Sequence, residues 1–226
     1  MSFDTLAPHY HWMEWLFAGK ELQRCRTAFL PMLHPPANAL IFGEGDGRFL
    51  LEYRRAFPYA RATVVDSSAG MLQRARKRLA QAGFGHSGIT FVQADAREWQ
   101  PPEATFDLVV TCFFLDCFLE EELRSLVTKM ARAATPNAQW LQADFQMGGS
   151  PLCQLRSWLT LRLLYAFFRR ATGITASALT QPDPMLSREG FVCRQRSVSD
   201  WGRLYSDWWV RPTEPAGLSD KSPGIF

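Results

Sequence analysis

The sequence has no C-x-x-C pair. Its five cysteines, Cys25, Cys112, Cys117, Cys153 and Cys193, are scattered, as are its four histidines. That distribution supplies no zinc template and no disulfide framework, so the thiols read as reduced and buried in a cytoplasmic protein. The opening MSFDTLAPHY carries an early acid and no apolar stretch, which argues against a signal peptide. Long hydrophobic runs are also missing. The most apolar segment, LRSWLTLRLLYAFF, is interrupted by Arg156 and Arg162 and is too short to span a bilayer. No internal repeat is visible, and neither sign of charge dominates. A net charge of +3 and a pI near 8.7 allow an acidic partner without demanding nucleic acid.

What is present is apolar mass. With 226 residues, 47% hydrophobic and 13% aromatic, the chain can bury a substantial core as one large domain with small additions. Short apolar runs alternate with amphipathic stretches. NALIFG (38–43), RATVVDSS (61–68), ITFVQADA (89–96), FDLVVTCFF (106–114) and AQWLQADFQ (138–146) read as strands. AGMLQRARKRLAQAG reads as a helix closed by Gly83, and EEELRSLVTKMARAA (120–134) as one with its acids in the first turn. Such alternation predicts an α/β fold with a mostly parallel sheet, helices on both faces and ligands at the carboxyl ends of the strands. GFVCRQRSVS and RLYSDWWVRP, around a DWG connection, predict a terminal antiparallel hairpin.

The stretch after the first strand, GEGDG, places glycines at 43, 45 and 47 with Glu44 and Asp46 between them. A dinucleotide loop spaces its glycines G-x-G-x-x-G, and here the last of those positions is Arg48. A pyrophosphate would also meet two carboxylates. Two like charges about 4 Å apart repel by roughly 4 kcal/mol at an effective dielectric of 20. S-adenosylmethionine has no phosphate and carries a sulfonium and an ammonium, so it suits the loop better, while glycine still permits close backbone approach. Asp66 ends the second strand about 23 residues after Gly43, the spacing at which a carboxylate reaches ribose hydroxyls. Asp95 ends the third, where an acceptor can meet an exocyclic amine.

These segments resemble the class I S-adenosylmethionine-dependent methyltransferases over roughly residues 36–146. ALIFGEGDGRFL is similar to their first motif, VVDSSAGMLQRAR to the second, FVQADA to the third and FDLVVTCFFLDCF to the fourth. The resemblance implies a Rossmann-like, seven-stranded sheet. It places Gly43, Gly45 and Gly47 at the methionine and ribose portion, Asp66 on the ribose hydroxyls, and Ser67 and Met71 beside the adenosine. Asp95 and the backbone of Ala96 would read the adenine, and Thr111 would lie near the methionine end. The family has an acid two residues before the first glycine, where this chain has Ile41; Glu44 or a backbone carbonyl would then take that contact. FDTLAPHY (3–10) is similar to the opening of quinone-type small-molecule methyltransferases, which brings Tyr10 to the cofactor.

The implied organisation is a helical cap over 1–35, the cofactor-binding core over 36–146, a long helix and the hairpin over 147–212, and a tail over 213–226. An acceptor oxygen or carbon calls for a base, and the candidates are Asp116, His9 and His11; no metal is expected. Asp116 could equally cap the following helix, and the histidines could be packing residues. The fourth strand ends in CFFLDCF rather than the Asn-Pro-Pro-Tyr of amino methylation on nucleic-acid bases, which suits a flat or apolar small-molecule acceptor. Arg156, Arg162, Arg169 and Arg170 fall on one arc of the long helix, leaving room for peripheral membrane contact or for an ordinary solvated edge. The expected protein is a monomer or homodimer. A cofactor-fold accessory protein without turnover, and less readily a nucleic-acid methyltransferase, remain as alternatives.

Overall fold

The structure, a computed structural model, describes residues 19–146, 148 and 180–212. His9, Tyr10, His11, the long helix expected over 151–172 and the tail lie outside the described residues.

Helix α1 (Gly19–Thr27) precedes a short turn at Leu30–Met32, where Pro31 keeps the helix from continuing. The core then runs β1 (Asn38–Phe42), α2 (Arg48–Ala56), β2 (Arg61–Asp66), α3 (Ala69–Gln81), β3 (Ile89–Gln93), β4 (Phe106–Cys112), α4 (Glu120–Ala133) and β5 (Ala134–Phe145). Helix α5 (Asp183–Arg188) and the strands β6 (Val192–Ser199) and β7 (Leu204–Val210) follow. The strands form one seven-stranded sheet in the order β3-β2-β1-β4-β5-β7-β6. Five are parallel and the β6–β7 hairpin is antiparallel, turning at Asp200–Gly202 as expected.

The continuous apolar strands are buried on both faces because helices cover both. Leu40, Phe42, Val109 and Trp140 pack with residues of α4 and α5 on one side. Ile41, Val64, Val110 and Leu141 pack with Phe49, Leu50, Leu72 and Ala75 of α2 and α3 on the other. Helix α1 lies against the ends of β5 and β7 through Leu22, Cys25, Ala143 and Leu204.

Two boundaries differ from expectation. Strand β5 begins at Ala134, directly after α4, because Ala134 pairs with Phe106 before the register shifts to Leu108 opposite Gln139. Strand β3 stops at Gln93, so Asp95 stands in the turn beyond it. Helix α5 went unread because six residues with Pro184 at the start show no period.

Candidate active site

The carboxyl ends of β1, β2 and β4 meet at the glycine loop. Gly43, Gly45 and Gly47 have φ of 62°, 65° and 87°, which side-chain-bearing residues adopt only at a cost. A Cβ on Gly47 would lie 2.6 Å from the Ala75 backbone, so this glycine lets α2 start against α3. A Cβ on Gly43 would strike the Phe114 ring, whereas one on Gly45 would meet nothing within 4 Å. The loop apex therefore borders open space. Gly43 N–H donates to Val65 O (2.9 Å) and Gly45 N–H to Asp66 Oδ2 (3.1 Å), tying the loop to the end of β2. Asp66 also accepts from Ser68 N–H at 2.9 Å. Ser68 caps α3 through Met71 N–H; Met71 is buried and Ser67 exposed.

The two loop acids behave differently from each other. Asp46 is buried and bound by Arg78 Nη2 (2.5 Å) and Arg48 Nε (3.3 Å), so its charge is neutralised within the scaffold rather than offered to a ligand. Glu44 lines a small pocket, open at one side, with Arg26, Ile41, Gly43, Cys112 and Phe113 among its walls. Its Oε1 accepts from Leu50 N–H at 2.9 Å. The residue is partly exposed, yet desolvation at its carboxyl group pushes its pKa up to about 8, against the opposing pull of that N–H and of Arg26. Ile41, at the position of the family's missing acid, faces the same cavity. The Arg26 guanidinium stands 5.0 Å from the centre of the Phe113 ring. Phe113 itself holds a left-handed φ of 54°, a costly conformation for a bulky side chain.

At the next strand end, Asp95 is gripped by Arg97, whose Nη2 donates to Oδ2 at 2.6 Å. These hydrogen bonds hold the Asp95 carboxyl below its ordinary pKa. Ala96 is buried, and its carbonyl accepts from Lys129 Nζ at 2.9 Å. Thr111 is fully buried, and its hydroxyl accepts from the Trp140 indole N–H at 2.9 Å. That bond commits Thr111 Oγ1 to the core beneath the loop.

Asp116 lies in a short turn (Leu115–Cys117) and is buried. It does not cap α4, whose first turn is instead fixed by Glu122 Oε2 accepting from Leu119 N–H. Asp116 faces Asp144 at the end of β5: Asp116 N–H donates to Asp144 Oδ2 (3.3 Å), and the two carboxyl groups share a hydrogen bond. Burial and the neighbouring Asp116 push the Asp144 carboxyl well above its usual range. Rings gather around the pair, Phe114 against Phe118 and Phe113 against Phe145, each with centroids 5.0 Å apart.

Arg26, Arg97 and Asp144 escaped the sequence reading. Asp144 had a signal, an acid at a strand's carboxyl end like Asp66 and Asp95. Arg26 is one of several bases on a short helix, and Arg97 follows a strand-end acid as an ordinary turn residue would; neither carries a local mark.

Residues 39–137 match the family model described as a methyltransferase domain. A demethylmenaquinone methyltransferase of Chlamydia trachomatis serovar L2 is 29% identical over 115 residues, covering 51% of this chain and 48% of that protein. A trans-aconitate 2-methyltransferase of Paracidovorax citrulli is 38% identical over 98 residues, covering 41% and 34%. The chain thus spans between a third and a half of the length of these relatives. The crystal structure of the N-methyltransferase NodS from Bradyrhizobium japonicum, in complex with S-adenosylhomocysteine, superposes with a TM-score of 0.58. The two are 17% identical, over 85% of this chain and 84% of that one. The fold is that of the class I methyltransferases, and the match to a methyltransferase-domain model falls on its sheet and helices from β1 into β5. No helix among the described residues is long and apolar enough to cross a membrane.

Proposed function

We propose that this chain binds S-adenosylmethionine across the ends of β1, β2 and β4 and transfers its methyl group to a small, largely apolar or aromatic acceptor. The observation that carries the reading is the cavity where Glu44 and Ile41 face each other's space beside the glycine loop. In this reading Glu44 takes the amino group that an acid at position 41 would hold, and Arg26 takes the carboxylate of the same methionine end. Gly45 supplies the open apex, Asp66 the ribose hydroxyls, and Asp95 with Ala96 the adenine edge; Ser67 and Met71 flank it. Gly43, Gly47 and Thr111 set the floor on which these groups stand.

The cofactor supplies an electrophilic methyl group on a positively charged sulfur. Alignment and exclusion of water do much of the work in such an in-line displacement. The rings of Phe113, Phe114, Phe118 and Phe145 fit a flat acceptor and keep water out. The Asp116–Asp144 pair can accept the acceptor's proton as its nucleophilic atom is methylated. His9, Tyr10 and His11 stay candidates for the same mouth on sequence grounds alone.

The test is S-adenosylhomocysteine formation from labelled cofactor with a panel of quinols, phenols and unsaturated carboxylic acids. Turnover is expected with at least one aromatic or quinol member. Asp116→Asn is expected to lower it at least tenfold while cofactor affinity holds. Loss of turnover across the whole panel, or an unaffected Asp116→Asn enzyme, would count against the assignment.

A further inference from the structure

We propose that Arg97 is a specificity-determining residue of the cofactor site, competing with the exocyclic amine of adenine for the Asp95 carboxylate. The inference rests on the cofactor reading above and adds a residue to it. Asp95 Oδ1 accepts from the Arg97 backbone N–H (2.9 Å) and from Arg97 Nε (3.0 Å). Its Oδ2 accepts from Nε (3.1 Å) and Nη2 (2.6 Å). A carboxylate offers about four lone-pair sites, and three N–H groups of one arginine, with Nε–H shared between the two oxygens, occupy most of them. An adenine amine needs a site on the same two oxygens, so it competes with the guanidinium for Asp95.

The surroundings allow that exchange without moving the backbone. Lys129 Nζ donates to the carbonyls of Ala96 and Arg97, at 2.9 and 2.7 Å, which pins the turn to α4. Arg97 already has a second seat, since its Nη1 reaches Glu122 Oε1 at 3.2 Å. Glu122 is itself held in place by the Leu119 N–H at 3.1 Å. The side chains of Arg97 and Asp95 are 50% and 31% exposed, so water and salt weaken their attraction. A pair of this kind yields to a cofactor held by several other contacts, yet it lowers the fraction of protein ready to bind.

The competition has a chemical signature. A base with a carbonyl oxygen in place of the amine repels Asp95 but accepts from Arg97. Wild-type protein should therefore separate the two bases poorly, and removal of Arg97 should sharpen the choice.

The probes are S-adenosylhomocysteine and S-inosylhomocysteine, titrated calorimetrically into wild type, Arg97→Ala, and Asp95→Asn with Arg97→Ala. Arg97→Ala is expected to bind the adenosyl compound at least threefold tighter and to widen the adenosyl-to-inosyl affinity ratio at least fivefold. In the double variant that widening is lost. The ratio does not depend on the fraction of folded protein, so a damaged fold cannot imitate it. An unchanged or narrowed ratio in Arg97→Ala overturns the proposal while wild-type binding of S-adenosylhomocysteine leaves the cofactor reading standing. Failure of wild type to bind S-adenosylhomocysteine overturns both.

Discussion

Glu44 and Asp46 stand two residues apart in a loop that ought to be uniform, yet one is neutralised by arginines and the other is left with a proton. Asp46 holds Arg78 and Arg48, and its role is to join the loop to α3. The electrostatic objection to a phosphate therefore weakens, while the case for a cationic ligand concentrates on Glu44. With its pKa raised from 4.5 to about 8, Glu44 binds a proton in the native state that the unfolded chain releases between those values. Stability from this group is thus present at low pH and is lost as pH rises toward 8. Replacing it by glutamine keeps an acceptor for Leu50 N–H and removes the titration. Glu44→Gln is expected to raise resistance to denaturant above pH 8 and to weaken S-adenosylmethionine binding about tenfold. Wild-type affinity should increase from pH 6 to 8 as Glu44 ionises, and the variant's should stay flat. A wild-type profile as flat as the variant's would remove Glu44 from the ammonium site.

At the scale of elements, the glycine loop matters as a joint between two helices as much as a ligand surface. Gly47 combines a φ of 87° with a Cβ position 2.6 Å from the Ala75 backbone, so a methyl group there meets α3 rather than a flexible side chain. Gly47→Ala should cost about 2–5 kcal/mol, the sum of a left-handed non-glycine residue and overpacking. Urea unfolding measures it, and a loss under about 0.5 kcal/mol would mean that α2 and α3 separate freely. These elements were legible in the sequence wherever a period or a cap marked them. Buried parallel strands appear as unbroken apolar runs, α3 closes at Gly83, and the hairpin turns at DWG. Strand ends were less legible. The pairing of Ala134 with Phe106 draws β5 back to the end of α4, and only a partner strand distant in sequence decides that.

Over the whole molecule, the sheet order places β1, β2 and β4 together at the centre, with their carboxyl ends opening at one edge. Alternating segments and right-handed crossovers leave few topologies, and such sheets take ligands at the carboxyl ends of their strands, so the strand ends proposed as the site were legible without coordinates. Relations between distant residues were not. Arg26 comes to Glu44 from a helix that precedes the sheet, and Asp144 reaches Asp116 across the β4–β5 boundary. Arg97 bonds both oxygens of an acid two residues away, a side-chain choice that spacing does not encode. Asp66 stands between these scales, because it closes β2, orders the loop through Gly45 and faces the proposed ribose position. Calorimetric titration of S-adenosylmethionine into wild type and Asp66→Ala is accordingly the most direct test of the account. Saturable one-to-one binding to wild type and at least tenfold weaker binding to Asp66→Ala are expected. No binding to wild type, or equal affinity in the two proteins, would contradict it.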